Sequence, residues 1–320
     1  MQGNPGEKGN MSLFLKSYYG IKPLIPRWLQ LAMRRIRVFV KLRTHADVWP
    51  IDEKAAIPPK NWTGWPEGKK FAFVLTHDVD TAKGQERTRK LADLERGLGF
   101  TALYNFVPER YPVREELRNY LTENGFEVGV HGLNHDGKYF NSRAIFLERT
   151  LKINRYIRDW DAVGFRSPSM LHNLNWLHDL DIQYDSSTFD TDPFEPQSDG
   201  VGTIYPFWVP SGNGNVGYVE IPYTLPQDFT LFVLMRQRNI DIWKRKLDWI
   251  ASKGGMALML THPDYVNING TNISKEEYPM SYYEELLNYV KTRYKEQYWQ
   301  PLPIEVARLF KSRMETEEER

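Results

Sequence analysis

Ionisable side chains follow directly after several apolar segments of this sequence, and their types suit acid–base and metal chemistry. Residues 71–80 begin as a continuous apolar and β-branched run, which predicts a buried strand, and end in Asp78 and Asp80. Carboxylates there are costly unless they are paired, hydrogen-bonded or bound to a metal. Because alternate residues of an extended segment share a face, Asp78 and Asp80 are expected to point into one cavity.

A second cluster lies in His131-Gly-Leu-Asn-His135, after another predicted strand. If this turn is helical, residues four apart stack on one face, so both imidazoles can bind one metal ion. Asp80 would complete a set of two histidines and one carboxylate. This spacing alone is more often a pair of surface histidines, but its place beside the two aspartates favours a metal site. We expect a divalent ion, zinc foremost, with cobalt, manganese or nickel as alternatives.

The remaining groups suit hydrolysis. A divalent ion lowers the pKa of bound water toward about 7 and polarises a carbonyl group. Asp78, if it does not bind the metal, can accept a proton, and His262, after the predicted strand 256–260, can donate one to the leaving group. Together these roles predict hydrolysis of an amide or an ester.

Predicted strands alternate with predicted helices along residues 71–311, which indicates a parallel sheet with crossover helices. The number of units favours an α/β fold, a deformed (β/α) barrel of seven or eight parallel strands. Active sites of such barrels assemble where the strands end. The candidate residues at those ends are Asp78, Asp80, His131, His135, Arg166, Asp185 and His262. Each of three residues also has a structural interpretation. Arg166 could form an ion pair, Asp185 could cap a turn, and His262 could be a core residue.

Residues 1–70 are expected to form an N-terminal region: a leader over 1–20, a basic amphipathic helix over 26–43, and a linker rich in Pro and Trp whose residues Trp49, Trp62 and Trp65 pin it to the body. Residues 71–320 are expected to form the barrel domain. Apolar residues of the helix fall on one side and most of its basic residues on the other. The helix either contacts an anionic membrane surface or packs on the barrel with its basic face in solvent.

Composition narrows the remaining choices. The 42 basic and 41 acidic side chains give no global bias toward nucleic acid, and the absence of cysteine excludes disulfides and thiolate ligands. We find no export signal and no apolar run long enough to span a membrane. The expected location is cytoplasmic, peripheral to the inner leaflet if the helix binds lipid.

Five motifs, in order, resemble those of the polysaccharide deacetylases with a NodB-like domain, carbohydrate esterase family 4. The resemblance covers most of residues 71–310. The segment 76–80 resembles the motif that supplies the base and a metal ligand, here Asp78 and Asp80, although Val79 separates them where the usual form has adjacent acids. His131 and His135 match the two other ligands.

The three later motifs carry the other roles of the family. Gly164-Phe-Arg-Ser-Pro-Ser169 resembles the motif whose arginine, here Arg166, orients the base, with a backbone N–H near Ser169 as oxyanion donor. The segment 184–190 resembles the fourth motif without its usual tryptophan, and it implies that Asp185 partners the catalytic histidine. Leu260-Thr-His-Pro263 resembles the last motif, with His262 as general acid.

The resemblance implies metal-dependent hydrolysis of an N-acyl group, most simply N-acetyl, on an amino sugar that is polymeric, nucleotide-linked or lipid-linked. We expect an intermediate of surface-polysaccharide synthesis. Two alternatives stay open: a deformylase or other amide or cyclic-amide hydrolase on the same fold, and a non-catalytic carbohydrate-binding protein.

Overall fold

The computed structural model describes residues 17, 19–21, 24–211, 217–271 and 273–318, with side chains as far as residue 314. The predicted leader therefore lies mostly outside the described residues. The helices are α1 (Arg27–Thr44), α2 (Ala82–Leu98), α3 (Glu115–Glu123), α4 (Arg143–Asp159), α5 (Asp241–Lys253), α6 (Met280–Arg293) and α7 (Pro303–Glu318). The strands are β1 (Phe71–Val79), β2 (Leu103–Phe106), β3 (Glu127–His131), β4 (Gly164–Arg166), β5 (Tyr184–Asp185), β6 (Phe207–Val209), β7 (Tyr218–Glu220), β8 (Met256–Thr261), β9 (Val266–Asn267), β10 (Tyr278–Pro279) and β11 (Tyr298–Trp299). Short 3₁₀ turns and one π-helical turn, Phe229–Leu234, complete the set.

A curled, mostly parallel sheet organises the described residues. Strand β1 lies between β8 and β2, and the order continues through β3, β4, β5 and β7, all parallel, while β6 is antiparallel to β7. β11 adds a short parallel pairing at the start of β1. The segment that follows β7 contacts β8: the N–H groups of Thr224 and Leu225 both donate to the carbonyl oxygen of Leu258. The predicted deformed barrel is confirmed.

Strand β1 owes its central place to its sequence. All nine of its residues are buried, because helices cover one face of the parallel sheet and the barrel interior fills the other. Helix α2 ends at Gly99, whose left-handed backbone closes the helix at φ 84°. Ser142 caps α4 by accepting from the N–H of Ile145. These local signals place the strand ends, and hence the site.

Residues 49–65 pack on the barrel. Trp49, Ala55 and Trp65 are buried in the same apolar core as β1 and β8. The indole N–H of Trp65 donates to the carbonyl oxygen of Gly254, and the N–H of Ile204 donates to that of Ala55. The segment that reads as a linker in the sequence is therefore part of the folded body.

Helix α1 is oriented differently from the packed alternative of the sequence analysis. Leu31 and Val38, which lie on its basic side, are its buried residues, while most of its apolar residues face outward. The expectation of a basic face in solvent is thus wrong for Arg35 and Lys41, which donate to carbonyl oxygens of the body, whereas Arg27 and Arg43 are exposed. No helix among the described residues is long and apolar enough to cross a membrane.

Candidate active site

The carboxyl ends of the strands open into a cavity of about 1090 Å³. The strand register sets neighbours at this edge: Asp78 of β1 lies beside Asn105 of β2, and His131 of β3 beside Arg166 of β4. Sequence-predicted residues that line the cavity are Asp78, Asp80, His131, His135, Ser169 and His262. Arg166 is fully buried behind them.

Asp80, His131 and His135 form a group in which one possible ligand atom of each residue lies within 4.8 Å of the others. Oδ1 of Asp80 is 3.1 Å from Nε2 of His135 and 3.5 Å from Nε2 of His131. The turn between the histidines is not the expected helical one. It bends at Gly132 and His135, whose φ angles are 62° and 53°. The centroids of the two imidazole rings are 5.2 Å apart.

The chemistry of these three groups fits a divalent cation. Nδ1 of His131 lies 2.9 Å from the carbonyl oxygen of Arg166, which can only accept, so Nδ1 donates there and Nε2 is the nitrogen that faces Asp80. Oδ1 of Asp80 is buried without a hydrogen-bond donor. Burial lowers the pKa of His135, which favours its neutral, metal-binding form. Three acceptors thus converge, an arrangement that a metal ion satisfies.

Burial acts to raise the pKa of Asp80, but His135 and His131 outweigh it and hold this pKa well below its usual value. The same balance holds for Asp78, where His131 and Arg166 outweigh burial and lower the pKa of the carboxyl group. Both carboxylates are therefore ionised at neutral pH, as a ligand and a general base require.

Asp78 is held by two donors, one from β2 and one from β4. Its Oδ1 accepts from Nδ2 of Asn105 at 3.0 Å and from Nη1 of Arg166 at 3.2 Å, while its Oδ2 lies 3.6 Å from Nε2 of His131. Arg166 also donates to Ser186 and to Thr76 of β1. The arginine is thus fixed on several sides and orients Asp78.

The site depends on Gly129 of β3. A Cβ atom at this position would lie 2.1 Å from Oδ1 of Asn105. Only a glycine leaves room there for the amide that donates to Asp78.

His262 lies at the end of β8 against Asp228. Nδ1 of His262 is 2.8 Å from Oδ1 of Asp228, and the N–H of His262 donates to Oδ2 at 2.8 Å. The N–H of Phe229 and the hydroxyl group of Tyr278 also donate to this carboxylate. Burial acts to lower the pKa of His262, but Asp228 outweighs it, and the pKa is raised to about 10. His262 is therefore protonated at neutral pH and suits a general acid.

The expectation that Asp185 partners the catalytic histidine is wrong. Asp185 accepts instead from the N–H and hydroxyl groups of Ser187, and Oγ of Ser187 accepts from the N–H of Ser167. Burial raises the pKa of Asp185. Asp185 and Ser187 therefore support the loop that follows Arg166. The carboxylate that contacts His262 is Asp228, from a different segment of the chain.

The loop after β4 turns through two residues with left-handed backbone, Ser169 at φ 57° and Met170 at φ 52°. Its prolyl ring, Pro168, packs against Gly132, where a Cβ atom would lie 2.5 Å from Cδ of Pro168. Both Ser169 and Met170 line the cavity. The backbone N–H of Ser169 as oxyanion donor stays a prediction.

Sequence reasoning missed Asn105 and Asp228. A signal existed for Asn105, a polar residue inside the apolar strand β2 beside the strand that carries Asp78. For Asp228 there was none, because it precedes the π-helical turn Phe229–Leu234, which has no periodic signature in the sequence.

Comparisons with known proteins identify the fold. No protein-family model and no curated protein matches the sequence. Among solved structures, a protein assigned as a polysaccharide deacetylase from Mycobacterium smegmatis has a TM-score of 0.62 at 16% identity, covering 78% of this chain and 93% of that one.

Two further structures agree. PuuE allantoinase has a TM-score of 0.58 at 15% identity, covering 81% of this chain and 96% of that one. An assigned polysaccharide deacetylase from Pseudomonas aeruginosa PAO1 has a TM-score of 0.56 at 16% identity, covering 78% and 94%. The protein therefore has the fold of the polysaccharide deacetylases, and the resemblance drawn from its motifs is confirmed at the level of the fold.

Proposed function

We propose that this protein is a metal-dependent N-deacetylase that hydrolyses the N-acyl group, most simply the N-acetyl group, of an amino sugar. The observation that carries the proposal is the convergence of three acceptors, Asp80, His131 and His135, in the cavity that also holds Asp78 and His262. The fold shared with polysaccharide deacetylases supports the choice of substrate class.

The protein groups divide the work of amide hydrolysis. Asp80, His131 and His135 would hold a divalent ion, which would supply Lewis acidity, and zinc suits two imidazoles and one carboxylate best. Asp78, ionised and oriented by Arg166 and Asn105, accepts the proton of the attacking water.

The leaving amine needs a proton, which His262 is charged to supply. Asp228 keeps Nδ1 of His262 occupied, so that Nε2 is the nitrogen available to the substrate. A base with a lowered pKa and an acid with a raised pKa, in one cavity, give the two proton-transfer roles to different residues. The N–H of Ser169 is proposed as donor to the developing oxyanion.

A second candidate is hydrolysis of a different amide, including a cyclic amide. The likeness of the fold to PuuE allantoinase favours it as the alternative. The same acid, base and ligands serve both reactions, so the choice depends on the cavity wall rather than on the catalytic groups. A cytoplasmic location remains part of the proposal.

The test combines metal analysis of the purified protein with an acetate-release screen. N-acetylated amino sugars in polymeric, nucleotide-linked and lipid-linked form are compared with cyclic amides. Asp78→Asn should retain the metal and lose about 10² to 10⁴ of the rate, the usual share of a general base. Asp248→Asn is the matched control, since Asp248 bonds Tyr289 and Tyr294 and does not line the cavity. Full turnover by Asp78→Asn would refute the assigned base, and bound metal without turnover on any substrate would favour a binding protein.

A further inference from the structure

Helix α1 presents an apolar face to solvent. Trp28, Ile36, Phe39 and Val40 are 70%, 66%, 57% and 55% exposed, respectively, and their spacing places them along one side of the helix. We call these four residues the outer face of α1. An amphipathic helix of a globular protein ordinarily buries this face, so its exposure indicates a contact outside the described chain.

Polar contacts of the inner face hold α1 in this orientation. Arg35 donates to the carbonyl oxygen of Val233 at 3.0 Å, Arg37 to that of Glu195 at 3.3 Å, and Lys41 to that of Pro193. The guanidinium group of Arg34 lies 4.5 Å above the ring of Phe229, a cation–π contact. Turning the apolar face inward would break these contacts and leave the carbonyl groups without their donors.

Charge selects the occupant of the outer face. Residues 27–44 contain six basic side chains, Arg27, Arg34, Arg35, Arg37, Lys41 and Arg43, and no acidic one. A second copy of the chain, docked by a two-fold axis, would set two such basic helices against each other. An anionic lipid surface instead offers acyl chains to the apolar side chains and phosphate groups to Arg43, which is exposed and lies 4.3 Å from the ring of Phe39 in the outer face, and to the exposed Arg27.

Helix α1 also forms part of the wall of the active-site cavity. Met33, Arg34 and Arg37 of α1 line the same cavity as the proposed metal ligands. Arg110 and Lys275 line it as well and can pair with a phosphate group of a substrate, in a wall that also carries the acidic side chains Glu195, Asp264 and Glu276. A membrane on the outer face of α1 would therefore be separated from the cavity by the width of this helix.

We propose that α1 docks this protein on an anionic lipid surface through its outer face, and that the substrate is the amino-sugar headgroup of a phosphate-linked lipid in that surface. The docking is independent of the reaction, whereas the substrate class rests on the proposed function. Trp28, Ile36 and Phe39 do not line the cavity, so their loss separates docking from chemistry.

The experiment uses the full chain in sedimentation with vesicles of phosphatidylcholine, with and without about 30% phosphatidylglycerol. The α1 variant is Trp28→Ser/Ile36→Ser/Phe39→Ser. The matched control, Ile57→Ser/Leu147→Ser/Leu151→Ser, removes three other exposed apolar side chains. Wild type and control should sediment with the anionic vesicles, less so as salt is raised, and the α1 variant should partition at least about tenfold less.

Activity is then compared on a vesicle-held N-acetyl amino-sugar lipid and on its water-soluble headgroup phosphate. The activity of the α1 variant should be at least about tenfold below that of the wild type on the vesicle-held lipid and equal to it on the soluble compound.

Docking is overturned if wild type stays in the supernatant, if both triple variants lose binding equally, or if wild type self-associates through α1 without lipid. Equal loss of activity on both substrates overturns the substrate class. No turnover of either compound by wild type, with vesicle binding intact, counts against the proposed deacetylase alone.

Discussion

Replacing Asp228 with Asn tests the assignment of the general acid most directly. The pKa of His262 stands at about 10 against an ordinary value of 6.5, a rise of about 3.5 units, and burial acts against that rise. Asp228 is the largest of the groups that raise it, followed by Asp80 and Asp78. Without the charge of Asp228, we expect the pKa of His262 to fall by about two units or more, or about 3 kcal/mol of lost stabilisation of the imidazolium.

The consequence is measurable in the pH profile of kcat/KM. In the wild type the acid stays protonated through neutral and mildly alkaline pH, so the alkaline limb lies near the raised pKa. In Asp228→Asn that limb should move down by about two pH units, so that the rate should fall about twofold at pH 8 and about 50-fold at pH 10. Asp185→Asn is the control, because Asp185 contacts Ser187 rather than His262. The reasoning fails if the limb stays in place in Asp228→Asn, or if it moves in Asp185→Asn instead.

The remaining predictions concern the metal group and the core. His135→Ala should leave two of three ligands and lose bound metal by elemental analysis, whereas His172→Ala, at a histidine outside the group, should retain it. Lys246→Met should lower the free energy of unfolding by about 3 kcal/mol or more in urea titrations, because it leaves the buried Asp190 without its cation. Lys246→Met/Asp190→Asn should recover part of that loss, and equal stability of the two variants would contradict the pairing.

Strand ends could be predicted from the sequence because one physical rule places them. Apolar runs that stop at ionisable residues identify buried strands, and parallel strands end at one edge. This rule predicts from the sequence that Asp78, Asp80, His131 and His135 lie together, as they do in the structure. The order of the motifs predicts in addition that Arg166 orients Asp78. In the structure Arg166 donates a hydrogen bond to Asp78.

The partner of His262 could not be predicted in the same way. Asp228 reaches the site through a π-helical turn that follows no strand, so neither alternation nor strand position marks it. The orientation of α1 was equally hidden. Periodicity shows that a helix has two faces, but which face packs depends on the acceptors of the surface beneath, here carbonyl groups of residues 193, 195 and 233.

The four donors around Asp228 have a consequence for how the site comes into being. Phe229, Tyr278 and both N–H groups of His262 saturate this carboxylate with groups of the chain itself, so the acid half of the site is complete as soon as the polypeptide folds. The proposed metal ligands on the opposite side, Asp80, His131 and His135, have no comparable set of donors: Oδ1 of Asp80 is buried without a hydrogen-bond partner. A cation held by the proposed ligands should therefore remove only the smaller contribution of Asp80 to the raised pKa of His262 and leave the larger contribution of Asp228 in place.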